Sequence, residues 1–279
     1  MAEITAAAVK SLRERTGLPM MDCKKALSET GGDEEAAVES LRKKGIKTQE
    51  TKMGTRDTSC GRMGIYNDFD SGVAAMVELQ CESAPVASHE EFVALANDLA
   101  QQLATGPGAA TPDELLDQPS PNGSGVTLRE QKDDLYNRIR EVFKLRRILR
   151  IDASCGAYAH HSGVTKGVLL QVEGGNGETA KDVCMHIAAM NPNAVNKDDL
   201  DPALVAKERE ILAEAARKEG KPEEIIEKMI DGRMRQFYAQ QVLEEQPFVK
   251  DDKQTVGKYA KAADMKLLKF VHWELGQDE

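Results

Sequence analysis

The chain has 279 residues and lacks the features on which several classes of protein depend. No apolar run approaches the roughly 18–20 residues that cross a membrane, and the first residues lack the apolar core of a secretory signal. We therefore expect a soluble, cytoplasmic protein with no membrane partner. Aromatic residues make up only 4% of the chain, which argues against surfaces that stack on bases or sugars.

Cysteine and positive charge are also limited. The five cysteines are scattered, odd in number and without a C-x-x-C pair, so the sequence predicts neither a disulfide framework nor a zinc site. The 37 Lys and Arg residues are outnumbered by 47 Asp and Glu residues, which gives a net charge of −10. Because nucleic-acid binding requires a basic face, we expect a protein partner and no nucleic acid.

A catalytic constellation is missing from the sequence as well. The five histidines form no paired metal-binding motif, and no serine or cysteine lies in a nucleophile-elbow pattern. The segment 174–181 (GGNGETAK) lies between a predicted strand and a predicted helix, as a phosphate-binding loop would. It does not match G-x-x-x-x-G-K-[ST], and Glu178 would repel phosphate, so an exposed turn with Thr179 near a helix N-cap is favoured. We predict no catalytic activity, no cofactor and no metal.

Residues 1–45 are predicted to form a three-helix domain. The helices are predicted over 5–15, over 21–29, and from an N-cap at Asp33 to a stop at Gly45. A domain of this size offers no pocket, and its pattern resembles the ubiquitin-associated fold, which is a docking module. Residues 46–60 are polar and are predicted to be a linker.

The pair Met20-Met21 lies where the second predicted helix begins. Spacing alone favours core positions for both side chains. Large, flexible apolar side chains at a loop–helix junction also suit a partner surface, so this alternative stays open.

The middle of the chain contains an internal repeat. Residues 71–82 (SGVAAMVELQCE) and 162–173 (SGVTKGVLLQVE) are identical at seven of twelve positions, with a constant offset of 91. Each copy is predicted to be a strand followed by a helix with an apolar face. The simplest account is an α+β core of two similar sheet-plus-helix subdomains with antiparallel sheets. We place them at 61–136, and at 137–200 together with 242–279.

Residues 201–241 are predicted to form a helical hairpin inserted into the second subdomain. Apolar stripes over 204–212 and 225–230 favour an antiparallel pair, with the break at Gly220-Lys221-Pro222. The alternating segment 270–275 is predicted to be the strand that closes the second sheet. The hairpin could join two copies of the chain as a homodimer or only touch a partner.

Two motifs carry a resemblance to a known family. The run 16–27 (TGLPMMDCKKAL) closely resembles the N-terminal motif of the bacterial translation elongation factor Ts family. The segments 220–233 and 246–251 resemble its C-terminal motif, and the similarity extends over nearly the whole chain. One local departure is Arg140, which stands where the family usually has glycine.

This resemblance implies a guanine nucleotide exchange factor of translation elongation. Such a protein binds elongation factor Tu, in its GDP-bound and nucleotide-free forms, and promotes GDP release by disturbing the magnesium and phosphate site. The resemblance also implies the duplicated core and identifies the inserted hairpin as a coiled-coil arm.

The resemblance further implies where the partner is contacted. Met20 and Met21 would dock the N-terminal domain on the partner's nucleotide-binding domain. Tyr158-Ala159-His160 matches the family's Tyr-x-His, whose histidine reaches the GTPase, although a surface turn is the simpler interpretation of His160 from the residues alone.

The sharpest departure follows the first repeat strand. Where the family has Glu-Thr-Asp-Phe-Val-Ala, a stretch held to wedge beside the nucleotide's magnesium, this chain has Glu-Ser-Ala-Pro-Val-Ala at 82–87. Ser83 keeps a hydroxyl group, but Ala84 supplies no carboxylate and Pro85 replaces a ring by a rigid apolar bump. We expect the segment Ser83–Val86 to act by shape rather than by charge.

Two other functions remain open at this stage. An adaptor or scaffold would use the ubiquitin-associated-like domain to bind some other protein, without exchange activity. An enzyme would use the segment 174–181 to bind a phosphorylated ligand.

Overall fold

The computed structural model describes residues 4–53, 56–123, 125–160, 164–218 and 223–277, and the side chains of all of these except 46–53 and 223–225. Helices precede a core of sheets and helices, so the predicted α+β class is confirmed. The predicted break at Gly220-Lys221-Pro222 and the start of the second repeat, Ser162 and Gly163, lie outside the described residues. Within them, no helix has both the length and the apolar character needed to span a membrane.

The helices are α1 (Ala6–Thr16), α2 (Met20–Glu29), α3 (Glu34–Met53), α4 (Ala84–Ala87), α5 (Glu90–Thr105), α6 (Pro112–Leu116), α7 (Leu128–Ile139), α8 (Gly177–Met190), α9 (Pro202–Lys218), α10 (Glu223–Gln241) and α11 (Val256–Ala262). The strands are β1 (Cys60–Asp68), β2 (Val73–Cys81), β3 (Lys144–Ile151), β4 (Cys155–Ala159), β5 (Lys166–Gly174), β6 (Pro247–Phe248), β7 (Asp251–Thr255) and β8 (Met265–Glu274).

Helices α1, α2 and the first half of α3 pack into the predicted N-terminal domain. Its small core is made of one apolar stripe from each helix and from the α1–α2 connection: Val9, Leu12, Leu18, Cys23, Ala26, Leu27, Ala37 and Leu41. Thr5 caps α1 by accepting a hydrogen bond from the Ala8 N–H, and Gly17 ends α1 with a positive φ of 68°.

The end of α3 differs from the prediction. The helix continues past Gly45 to Met53, so residues 46–53 of the predicted linker are helical. A β-carbon at position 45 would lie 1.7 Å from Oδ1 of Asn137 in α7. Gly45 therefore marks a close approach between two helices rather than a helix end.

The core is built from two units of the same topology. Each unit is a β-hairpin, a helix, and a third strand that pairs with the second strand of the hairpin. The resulting antiparallel sheets have the orders β1-β2-β3 and β4-β5-β8. The repeat strands β2 and β5 are central in their sheets, and α5 and α8 follow them, so the predicted duplication and the closing strand β8 are confirmed.

The predicted boundary between the subdomains at residue 137 is wrong for β3. This strand pairs with β2 in the first sheet, for example through Ala75 and Arg150. The sequence pattern identifies a strand but not its partner, because pairing depends on contacts between residues far apart in the chain. The first unit therefore extends to Ile151.

Each sheet has one face on a helix and the other face on the opposite sheet. Because side chains alternate along a strand, β2 directs Ala75, Val77 and Leu79 into the core beneath α5. Ala74 and Met76 point the other way, into a cluster that the second sheet completes with Leu169 and Trp273.

Glu78 lies on this second face of β2 and is fully buried. Its Oε2 accepts a hydrogen bond from Nε of Arg147 at 2.6 Å, and its Oε1 accepts from Nε2 of Gln80 at 2.7 Å and from the Gly276 N–H at 3.0 Å. Arg146 contributes a longer contact, at 3.4 Å. The carboxylate is therefore held by both sheets.

Arg147 links the sheets a second time. Its guanidinium lies over the ring of Trp273, 4.3 Å from the centroid, and its Nη2 donates to the carbonyl of Glu274 at 3.0 Å. Arg147 belongs to the first sheet, whereas Trp273 and Glu274 belong to the second. One cation thus neutralises the buried carboxylate and packs against the neighbouring sheet.

The helical hairpin α9–α10 is inserted between α8 and the strands that complete the second unit. Its arms are joined by an ion pair between Arg209 and Asp231, 3.1 Å apart, and bury Ala216, Ile226 and Met234. After the hairpin the chain is anchored at His186 of α8.

His186 is buried, and both of its ring nitrogens have partners. Its Nε2 lies 2.8 Å from Oε1 of Gln246, and its Nδ1 accepts from the Val249 N–H at 3.3 Å. An acceptor at Nδ1 requires the neutral ring with its proton on Nε2. Burial lowers the pKa of His186 below its usual value of 6.5. The hydrogen bond with Gln246 raises this pKa, but by less than burial lowers it.

We predict that Glu78→Ala lowers the free energy of unfolding by about 3–5 kcal/mol, because it leaves Arg147 at the interface without its carboxylate. Urea denaturation measures this value. Glu173→Ala, which removes an exposed glutamate from β5, is the matched control and should change stability by less than about 0.5 kcal/mol. A loss below about 1 kcal/mol for Glu78→Ala would mean that the sheets do not depend on this ion cluster.

We also predict that acid weakens the fold through His186. Because its folded-state pKa lies below the unfolded value of 6.5, its contribution is complete above that pH and is lost as the pH falls through the folded-state pKa. Urea denaturation at about pH 7.5 and about pH 5 should show lower stability in acid, and a smaller difference for His186→Gln. An equal difference in both proteins would contradict this assignment.

Candidate partner-binding surface

Met20 and Met21 are exposed, by 51% and 72%, so the core positions favoured by spacing are wrong for both. They form the first turn of α2, and the buried stripe begins only at Cys23. Side chains of a helix point toward its N-terminus, so these two extend past the edge of the domain. The result is a small apolar surface beside the exposed Lys24 and Lys25.

The N-terminal domain lies against both ends of α7. Arg42 of α3 pairs with Glu130 in the first turn of α7, with 2.6 Å between Nη2 and Oε1. Asp22 of α2 pairs with Arg140, the residue that caps the end of α7, at 2.8 Å. The two methionines therefore have a defined position relative to the first sheet.

The segment Ser83–Val86 contains the N-cap and the first three residues of the short helix α4. Pro85 lies in the first turn, where its fixed φ suits a helix. Ala84 and Pro85 are exposed, and Ala87 is buried in the core beneath α5. We call Ser83–Val86 the wedge turn; it follows β2, and its exposed residues are the uncharged Ala84 and Pro85.

Ser83 makes no capping bond to α4. Its hydroxyl donates to Oε1 of Glu141 at 2.6 Å, and its N–H donates to Oε2 of the same carboxylate at 3.1 Å. In the reverse direction, Oε1 of Glu82 accepts from the Val142 N–H at 2.7 Å. Glu82 also pairs with Arg56 at 2.8 Å. The wedge turn is thus fixed by reciprocal side chain–backbone bonds.

Cys81 lies beneath the wedge turn and donates from its Sγ to the Ser83 carbonyl at 3.2 Å. Burial raises the pKa of Cys81 to about 12, so the thiol stays protonated at neutral pH. Since the thiolate is the nucleophilic form, burial disfavours reaction at Cys81.

His160 follows β4 in the second unit and is exposed. Its Nδ1 lies 3.0 Å from the hydroxyl of Tyr158, and its carbonyl accepts from the Val164 N–H at 2.9 Å. The Val164 carbonyl in turn accepts from the Met63 N–H of β1 at 2.9 Å. The tip of the β4–β5 hairpin that carries His160 is therefore attached to the first sheet.

Two of the three predicted contact groups have chain neighbours or members that contact the residues following α7. Arg140 pairs with Asp22, next to Met21, and Glu141 binds Ser83 of the wedge turn, whereas His160 lies in the other unit. Asp22 and Glu141 were missed by sequence reasoning. Arg140 was noted as a departure from the family's glycine, and its φ of 68° shows why glycine suits this position.

The segment 174–181 spans the end of β5 and the first turn of α8. Asn176 caps α8, and its Oδ1 accepts from the Thr179 N–H at 2.9 Å, so Thr179 lies near the N-cap as predicted. This side chain occupies the position where backbone N–H groups would meet an anion. Among the described residues, no three His, Cys, Asp or Glu side chains are grouped to hold a metal ion.

Comparison with known proteins gives a consistent result. The family model described as Elongation factor TS matches residues 82–277. The elongation factor Ts of Thioalkalivibrio sulfidiphilus is 42% identical over 278 residues, and those of Hydrogenovibrio crunogenus and Methylococcus capsulatus are 41% identical over 276 and 275 residues. Each of these alignments covers 98% of this chain and 92% of the relative.

Proposed function

This chain belongs to the elongation factor Ts family, and from that premise we propose that it is the guanine nucleotide exchange factor of elongation factor Tu, acting in the cytoplasm. The observation that carries the proposal is the exposure of Met20 and Met21. Two adjacent large apolar side chains that the fold leaves in solvent are typical of a protein interface. Their position on a helix held against the core suits docking on a folded partner.

Exchange requires no covalent chemistry. The factor must bind the nucleotide-free GTPase more tightly than the nucleotide-bound form, which couples the two ligands reciprocally. Accelerating GDP release by about 10³–10⁴-fold requires a barrier lower by roughly 4–5.5 kcal/mol. Single side chains rarely supply that amount, whereas several contacts of one interface together can.

We assign three roles within this interface. Met20 and Met21 dock α2 on the nucleotide-binding domain. The wedge turn presses beside the magnesium and phosphate site by shape, since Ala84 and Pro85 carry no charge. His160, at the end of β4, binds a second domain of the partner. This contact keeps the wedge turn pressed against the nucleotide-binding domain. The hairpin α9–α10 is a further contact, either with the partner or with a second copy of the chain.

The test is release of fluorescent GDP from the host's elongation factor Tu, followed by stopped flow. Catalytic amounts of the chain should accelerate release. The variant Met20→Ala/Met21→Ala should need at least about tenfold more protein for half-maximal effect, because buried methionines at an interface contribute on the order of 1–2 kcal/mol each. Binding without acceleration would overturn the exchange function and leave an adaptor. Absence of binding would overturn the partner as well.

We predict that Pro85→Gly lowers the maximal rate of GDP release about three- to tenfold. Glycine removes the rigid ring and frees the backbone of the wedge turn, while the docking surface is unchanged. The concentration for half-maximal effect should stay within about twofold.

The matched control is Pro112→Gly, because Pro112, like Pro85, lies in the first turn of a short helix, here α6. It should leave both kinetic quantities unchanged. If Pro85→Gly behaved like this control while the methionine variant lost exchange, the wedge turn would have no part in release.

A further inference from the structure

The segment after α7 changes direction abruptly. Helix α7 ends at Ile139, and Arg140 takes a left-handed conformation, with φ 68° and ψ 19°. Its N–H donates to the Tyr136 carbonyl at 2.6 Å and closes the last turn. Beyond it, the residues up to Val142 lead into β3. We call Arg140–Val142 the connecting segment.

Each residue of the connecting segment contacts either Ser83 of the wedge turn or a residue adjacent in sequence to one of the two predicted partner-binding groups. Arg140 pairs with Asp22, two residues after Met20 in α2. Glu141 accepts both hydrogen bonds of Ser83, and the Val142 N–H donates to Glu82. Asp22 and Ser83 are thus joined through adjacent residues of one short segment.

The two connections differ in strength. Asp22 and Arg140 are 46% and 38% exposed, and an exposed ion pair contributes little on its own. The contact at Ser83 is partly buried, and one carboxylate receives two hydrogen bonds, which fixes the direction of the serine as well as its distance. The contact between Glu141 and Ser83 is therefore stronger than the ion pair between Arg140 and Asp22.

Such a connection matters for an exchange factor. Binding energy gained at a docking surface speeds release only when it is used to distort the bound nucleotide site, and otherwise it strengthens binding to every state equally. If the wedge turn moved independently of the docking helix, the partner could bind at α2 without any distortion of its nucleotide site. A continuous series of contacts from Asp22 of α2 through Arg140 and Glu141 to Ser83 opposes such independent movement.

We propose that the connecting segment transmits docking at α2 to the wedge turn, and that Glu141 is a positioning residue for GDP release. This inference rests on the proposed exchange function. Glu141 acts through Ser83 and need not touch the partner. Its loss therefore affects the rate at which the bound partner releases GDP more than the affinity for the partner.

The experiment is a double-mutant cycle on Glu141 and Ser83, measured by release of fluorescent GDP. Glu141→Ala should lower the maximal rate about tenfold and change the half-maximal concentration by less than about threefold, since it removes two charge-assisted hydrogen bonds. Ser83→Ala should lower the rate about threefold alone and not at all in the Glu141→Ala background, because its hydroxyl acts only through that carboxylate.

Two further variants sharpen the result. Arg140→Gly restores the residue that the left-handed conformation favours and removes the Asp22 contact, so it should lower the maximal rate about twofold without loss of thermal stability. Glu173→Ala, an exposed glutamate of β5, should leave the rate unchanged. Additive effects of Glu141→Ala and Ser83→Ala, or an unchanged maximal rate in Glu141→Ala, would overturn the proposal.

A second measurement separates this inference from the exchange function itself. Amide hydrogen exchange on the free chain should show loss of protection at Ser83 in Glu141→Ala, and no change in Glu173→Ala. If the unmodified chain failed to accelerate GDP release from elongation factor Tu, the proposed exchange function would be overturned. Lost protection at Ser83 would then still support the connection, and unchanged protection would overturn it.

Discussion

The arrangement of the two core units depends on one buried carboxylate. Glu78 lies between the sheets with no exposed surface, and a carboxylate without compensation there would cost more free energy than a fold of this size can spare. Arg147 supplies the opposite charge and at the same time covers Trp273 of the other sheet. Arg147 therefore compensates the charge of Glu78 within the first unit and contacts the second unit as well. Separating the units would break the contacts of Arg147 with Trp273 and Glu274 and the hydrogen bond from the Gly276 N–H to Glu78.

The same strand, β2, also fixes the position of the wedge turn. Glu78 and Cys81 both belong to β2, and Ser83 begins the turn just beyond it. Five residues of extended strand span roughly 17 Å, so the ion cluster at one end and the partner surface at the other are joined by a short, hydrogen-bonded element. Helix α7 positions the N-terminal domain, and β2 positions the wedge turn. Regular backbone elements therefore fix both parts of the candidate surface.

The sequence predicted what depends on local pattern and missed what depends on distant contacts. Apolar spacing and turn residues are local, so the three N-terminal helices, the repeat strands and the hairpin could be predicted. Gly45 was misassigned because a glycine that permits close packing looks, in sequence, like one that ends a helix. The pairing of β3 and the contact of Glu141 with Ser83 could not be predicted, because each joins residues far apart in the chain. For Met20 and Met21 spacing favoured the core, and exposure was indicated by their place at a loop–helix junction and by the resemblance.

The second partner of Glu78 has a consequence for the order of folding during synthesis. The N–H of Gly276 is separated from Glu78 by 198 positions, and Trp273 lies almost as far away. While the first unit emerges from the ribosome, its sheet can form, but the face that carries Glu78 must remain in water. Translation of the second unit then converts a solvated carboxylate into a buried one. The side chain that later links the two units thus leaves a polar, hydrated group on that face until the second unit has been made.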